Sequence, residues 1–290
     1  MTTTHHARRD ISAYLGLTYA LALAVTVALP HANINRLLTV AVPTMSVGIL
    51  TFIMTERGKR RELWRGFGLG RAGLRVWPAA FVLPMLLVAG AYGSALLIGA
   101  GRLDDIHLAD ATPAWITDLL ISLVMGTVFM LGEEIGWRGF LLPRFQLLTS
   151  RRRAAVATGF AHGLFHLPLI LIATTYDTGT PRWIAAPVAV AVITAGGVFY
   201  AWVWDRSHSV WPVAIAHNVV NTVFDLGSAS VLAVGGWNMA YVAGETGFAT
   251  LGVCVLMAVV MLRYARVWRS PVVSASQSGR GRELVAASAA

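Results

Sequence analysis

Residues 132–143 read GEEIGWRGFLLP, which puts Glu133, Glu134 and Arg138 at the end of an otherwise apolar stretch beginning near Trp115. On a helix, Glu134 and Arg138 stand four apart on one face and can pair. Glu133 is turned about 100° from Glu134 and shares its face with Trp137 one turn on. The spacing predicts one carboxylate with a built-in counter-ion and one without, and the unpaired carboxylate suits a general base. Downstream, GFAHGLFHLPL sets His162 and His166 on one face, with Pro168 predicted to kink the helix just beyond. VAIAHNVVNTVFD then places His217, Asn221 and Asp225 at i, i+4 and i+8. A carboxylate, imidazoles and a carboxamide around a shielded cavity are what amide hydrolysis needs. Glu133 can deprotonate water with the help of His166, while His217 and Asn221 donate to the oxyanion. The same groups offer a His2Glu metal site from Glu133, His166 and His217, the ligand class of zinc hydrolases, although no H-E-x-x-H helix is present.

The candidate catalytic set is therefore Glu133, Glu134, His166, His217 and Asn221, with Glu134 serving chiefly through its pairing with Arg138. Arg138, Trp137 and His162 are expected to support it. For His162 the plain role is an interhelical hydrogen bond. Asp225 reads as structural, and Gly196–Gly197 as a site of close helix packing.

The elements that carry these groups are set by composition. The 290 residues are 56% hydrophobic and only 13% charged, with a mean hydropathy of +0.64. The apolar residues come in long blocks, the pattern of a polytopic membrane protein. Eight helices are predicted, roughly over 11–30, 37–55, 77–100, 115–142, 154–173, 184–204, 210–234 and 241–267, each near the ~20 residues that cross a bilayer. The fold class is thus all-α, with one helical membrane domain over residues 1–269 and a disordered cytoplasmic tail over 270–290. The single Cys254 excludes an intrachain disulfide.

The net charge of +9 comes from 22 arginines and the single Lys59 against 14 acidic residues. Their placement argues for membrane orientation and against nucleic-acid binding. Nineteen of the 23 basic residues fall in alternate connections and the two ends, including ERGKRRELWRGFGLGRAGLR at 56–75. By the positive-inside rule both termini are cytoplasmic, which an even number of spans requires. A charge at the bilayer centre costs at least about 2.5 kcal/mol, so the intramembrane charges need partners or a wet cavity. At 1.5 Å per residue, Glu133, His166 and His217 all come out roughly 10–20 Å beneath the cytoplasmic surface, which points to one site.

With motifs in this order, the sequence resembles the CPBP family of intramembrane proteases, which contains type II CAAX prenyl endopeptidases and bacteriocin-processing relatives. The family's E-E-x-x-x-R motif matches Glu133, Glu134 and Arg138. Its F-x-x-x-H motif aligns with HGLFH and places the family histidine at His166, with His162 where the family has an aromatic residue. H-x-x-x-N matches His217 and Asn221. The resemblance covers roughly residues 115–225 and implies an endopeptidase acting near the cytoplasmic membrane face on a membrane-associated peptide or protein. Family members are commonly labelled metalloproteases, and a metal-free glutamate–histidine mechanism has also been argued for them. The cofactor is thus either none or one divalent metal ion, zinc first, with His162 available as an additional ligand. Two other readings stand beside the protease. One is a non-catalytic membrane scaffold or immunity-type protein of the same fold. The other is a transporter, disfavoured by the absence of an internal repeat and by polar groups gathered at one depth. Abundant arginine and alanine with one lysine point to a bacterial cytoplasmic membrane.

Overall fold

A backbone in lipid has to satisfy its own N–H and C=O groups, and the apolar stretches accordingly fold largely as helix. The computed structural model describes residues 2–104, 113–173 and 179–269. The chain runs α1 (Thr2–Ala28), α2 (Ile34–Met54), α3 (Arg57–Gly66), α4 (Trp77–Leu97), strand β1 (Gly101–Leu103) and α5 (Pro113–Glu134). A π-helical segment (Ile135–Leu141) leads into α6 (Leu142–Leu148), followed by α7 (Arg151–Phe165), α8 (Leu167–Ile172) and α9 (Arg182–Ser207). The remainder is α10 (Trp211–Ser230), β2 (Val231–Ala233), α11 (Met239–Val242) and α12 (Phe248–Tyr264). The tail expected to be disordered, 270–290, lies outside the described residues.

Six of these helical stretches are long and apolar enough to cross a membrane, and α12 is a shorter apolar helix. α10 has 20 residues, but its stripe of His217, Asn218, Asn221 and Asp225 keeps it from reading as a plain span. The molecule is an all-helical, multi-pass integral membrane protein. Its outer surface agrees: Phe52, Leu86, Leu120, Val124 and Leu256 are exposed, a quantity of apolar surface that only lipid or a partner can cover.

Some boundaries differ from expectation for identifiable reasons. The predicted helix over 154–173 breaks at His166, because Pro168 sits in the first turn of α8 and cannot continue α7. The predicted helix over 241–267 is interrupted between α11 and α12, where Gly244 and Gly247 fold tightly back on Ala240 and Val242. The 115–142 stretch continues to Leu148 through the π-helical segment. β1 and β2 form a small antiparallel ribbon pairing Gly101 with Ala233 and Leu103 with Val231.

α7 and α9 pack closely at two glycines. A side chain on Gly197 would meet the Gly159 backbone at 2.7 Å, and one on Gly159 would meet the Thr194 carbonyl at 2.6 Å. Gly197 thus has the packing role expected of it. Gly196 does not: nothing lies within 4 Å of its missing side chain, and it lines a cavity.

The two ends of the bundle differ. At the end bearing the basic connections, Gln146 donates to Asp205 at 3.0 and 3.1 Å, joining α6 to the end of α9. The 67–76 segment folds over the same end, where Trp211 Nε1 donates to the Leu69 carbonyl at 2.8 Å and Ser209 Oγ donates to the Arg71 carbonyl. Gly68, at φ +70°, lies against the His208 carbonyl where no side chain fits. The opposite end carries the β ribbon and the α11–α12 connection.

Candidate active site

The site is built on α5, α7 and α10, with α9 behind it. Glu134 and Arg138 are fully buried, and Arg138 Nη1 donates to both Glu134 carboxylate oxygens at 2.9 and 3.0 Å. The expected i, i+4 pair is therefore formed. His217 reaches across from α10 and its Nδ1 lies 2.8 Å from Glu134 Oε1. As an ionised carboxylate only accepts, Nδ1 of His217 carries the proton and Nε2 is left for the cavity.

Glu133 is not the unpartnered carboxylate that spacing predicts. His162 comes in from α7 with Nε2 2.7 Å from Glu133 Oε2. On its other side, Arg138 Nη1 lies 3.3 Å from His162 Nδ1. A guanidinium can only donate, so Nδ1 of His162 is the acceptor and the N–H sits on Nε2, pointing at Glu133. Stacking on Trp137, at 4.9 Å between ring centroids and 28° between planes, fixes the ring further. The departure from the aromatic position of the F-x-x-x-H pattern thus has a local use. His162 keeps the stacked ring and adds a donor to the carboxylate.

His166 stands one turn further along. Its Nδ1 donates to the His162 carbonyl at 3.1 Å, leaving Nε2 free. Asn221 has one weak partner, donating to Met130 Sδ at 3.6 Å. Trp137 is buried between His162, Tyr14 and Phe165, and its Nε1 has no partner among the described residues. Asp225 is exposed beyond the site toward the ribbon end. Tyr200 on α9 was not among the sequence candidates. Its ring stacks on His217 at 5.2 Å and lies 4.8 Å from the Arg138 guanidinium, so one aromatic ring contacts both partners of Glu134. The only sequence signal for it is a tyrosine in an apolar helix.

A cavity of about 140 Å³ adjoins these groups. His162, His166, His217, Asn221 and Tyr200 stand in its wall with Leu87, Val192, Ile193, Phe224 and Met257, and Glu245 and Thr246 stand at its far end. Glu133 is behind the wall and reaches the cavity through His162 of α7 and His166 at the α7–α8 junction. The cavity runs away from the basic connections: on α9 it is lined from Tyr200 back to Ala189, toward the ribbon end. At the basic end, the 67–76 segment packs over the bundle.

Glu133, His162 and His166 each offer a ligand atom, all within 4.8 Å of one another. This group differs from the expected Glu133, His166 and His217, because His217 is turned to Glu134. The spacing admits a cation, but the tautomer does not. Arg138 holds the His162 proton on the nitrogen that faces Glu133, which leaves Glu133 and His166 as ligands, one short of a three-ligand catalytic site. The arrangement does fit a water molecule. Three atoms at most 4.8 Å apart leave a point within about 2.8 Å of each, an ordinary hydrogen-bond length.

Residues 114–223 match the family model for type II CAAX prenyl endopeptidase Rce1-like proteins. This segment is an Rce1-like domain. It runs from the start of α5 to α10 and holds Glu133, Glu134, Arg138, His162, His166, Tyr200, His217 and Asn221. The Rce1-like family is one of peptide hydrolases, and the buried group of Glu133, His162 and His166 is consistent with an active site inside the domain. No curated protein matches the chain. Glu245 and the rest of α11 and α12 lie beyond the Rce1-like segment.

Proposed function

We propose that the protein is an intramembrane endopeptidase that hydrolyses a peptide bond with a water held by Glu133 and His166. The observation that carries this reading is the buried Glu133–His162 contact of 2.7 Å with His166 beside it, inside an Rce1-like domain. Water sits among the three groups and gives hydrogen bonds to Glu133 and to Nε2 of His166. As its oxygen attacks the carbonyl carbon, its proton passes to Glu133. The oxyanion that forms takes hydrogen bonds from the Asn221 amide, released from Met130, and from His217 in its protonated form. The C–N bond then breaks and the leaving amine takes the proton back from Glu133. His162 donates to Glu133 throughout and holds it in place. Arg138 and Tyr200 orient His162, Glu134 and His217 without touching substrate.

At about 1.5 Å per residue, His217 lies about 9 Å and His162 about 16 Å from the basic end of their helices. The arginine distribution supports a cytoplasmic placement of that end and of both termini. Cleavage then occurs within the cytoplasmic half of the membrane, on a membrane-associated peptide or protein that enters along the cavity from the ribbon end.

The test uses the purified protein in detergent with a library of membrane-anchored peptides, comparing wild type with Glu133→Gln, with and without a chelator. Cleavage by wild type, unaffected by chelator and lowered about 10²–10⁴-fold in Glu133→Gln, is the expected result. Loss of cleavage in the chelator overturns the metal-free mechanism. No cleavage by folded wild type overturns the enzyme and leaves a non-catalytic scaffold of the same fold.

A further inference from the structure

Glu245 lies between α11 and α12, outside the Rce1-like segment, yet it stands in the wall of the same cavity as His166 and His217. Between it and the histidines the wall is almost entirely apolar: Leu87, Val192, Ile193, Phe224 and Met257. Among the described residues Glu245 has neither a hydrogen bond nor an ion pair. Glu245 is exposed. The surrounding protein atoms raise its carboxyl above the ordinary carboxylate range, with Arg36 opposing the rise and Asp225 adding to it. A carboxylate in such a place is stabilised by any cation brought to it.

The geometry points to Glu245 as a specificity-determining residue that receives a lysine or arginine side chain of the substrate. This assignment rests on the reading of the cavity as the entry to a peptide-hydrolysing site. The shape and chemistry of the cavity match that side chain in two ways. Lysine and arginine carry a long aliphatic stem that covers apolar surface and ends in a charge. The apolar wall takes the stem, and Glu245 takes the charged end. Placed so, the basic residue lies on the ribbon side of the bond being cleaved, while the peptide carbonyl reaches His217 and Asn221. An acidic side chain entering the same cavity would meet Glu245, with Asp225 nearby, and be rejected.

The experiment measures binding, so that it does not depend on turnover. Acetylated, amidated leucine-rich peptides carrying lysine, norleucine or glutamate at one position are titrated by microscale thermophoresis against the full chain in detergent. Wild type and Glu133→Gln serve as the two starting proteins. Lysine should bind about tenfold more tightly than norleucine, and glutamate more weakly than either. Glu245→Gln should remove the preference for lysine, Glu245→Lys should reverse it toward glutamate, and Glu245→Asp should keep it. Equal binding of lysine and norleucine peptides, a preference that persists in Glu245→Gln, or no binding of any peptide each overturns the assignment. If the lysine preference is present and depends on Glu245 while wild type cleaves nothing, the hydrolytic reading falls and the cation subsite stands.

Discussion

Glu134 is an intramembrane carboxylate with no exposed surface, held by a guanidinium equally buried and by an imidazole. Such a pair is weak evidence for stability, since desolvation offsets its attraction, but removing one partner leaves a bare buried charge. Arg138→Gln should therefore destabilise the protein by about 3–5 kcal/mol, read as thermal unfolding in detergent. Changing Glu134→Gln in the same chain should recover most of that loss. If the double variant is as unstable as the single one, Arg138 contributes by some other means than neutralising Glu134. At this scale the sequence was informative about pairs on one helix. The Glu134–Arg138 contact follows from spacing alone. The Glu133–His162 and Glu134–His217 contacts do not, because they cross between helices 29 and 83 residues apart along the chain. Spacing therefore left Glu133 without a partner and did not show that His217 meets Glu134.

Helix packing sets the distance between those groups. α7 meets α9 through Gly159 and Gly197, so close that neither position has room for a methyl group beside the facing backbone. Backbone cannot move aside as a flexible side chain can. Gly159→Ala should cost about 1–3 kcal/mol and lower the unfolding temperature in detergent. It should also lower cleavage, because His162 lies one turn further along the same helix. Unchanged stability would mean that the two helices separate freely. The π-helical turn after Glu134 is a second device of this kind. Gly136 in it packs against Pro43 and the Tyr14 hydroxyl, and Gly139 against Phe67. π-helical turns often mark functional sites, but apolar periodicity cannot distinguish one from an ordinary helical turn, and here the run simply reads as helix.

The molecule as a whole is asymmetric across the membrane. One end is closed by the 67–76 segment and carries most of the arginines, and the cavity extends from the histidines toward the other end. Arg61 and Trp237 are exposed at opposite ends, and the native Cys254 is buried. A membrane-impermeant maleimide applied to intact cells should therefore label Trp237→Cys and leave Arg61→Cys and wild type unlabelled. Arg61→Cys should react once the cells are opened. The reverse pattern would invert the orientation and place the cavity mouth in the cytoplasm. Labelling of both positions from one side would contradict the placement of α3 and the ribbon at opposite ends.

The sequence by itself determined the helices, since long apolar blocks in lipid have no other way to satisfy their backbone. It also determined the polar residues to watch, since a charge or imidazole in such a block is costly without a use. The E-E-x-x-x-R run and His162, His166 and His217 were legible for that reason. The tertiary structure decided which group faces which, that His162 is the partner of Glu133, that Tyr200 backs His217, and that Glu245 shares the cavity. Those are distances between helices, fixed by close packing at glycines and by loop closure at one end. Neither is encoded in the period of any single helix.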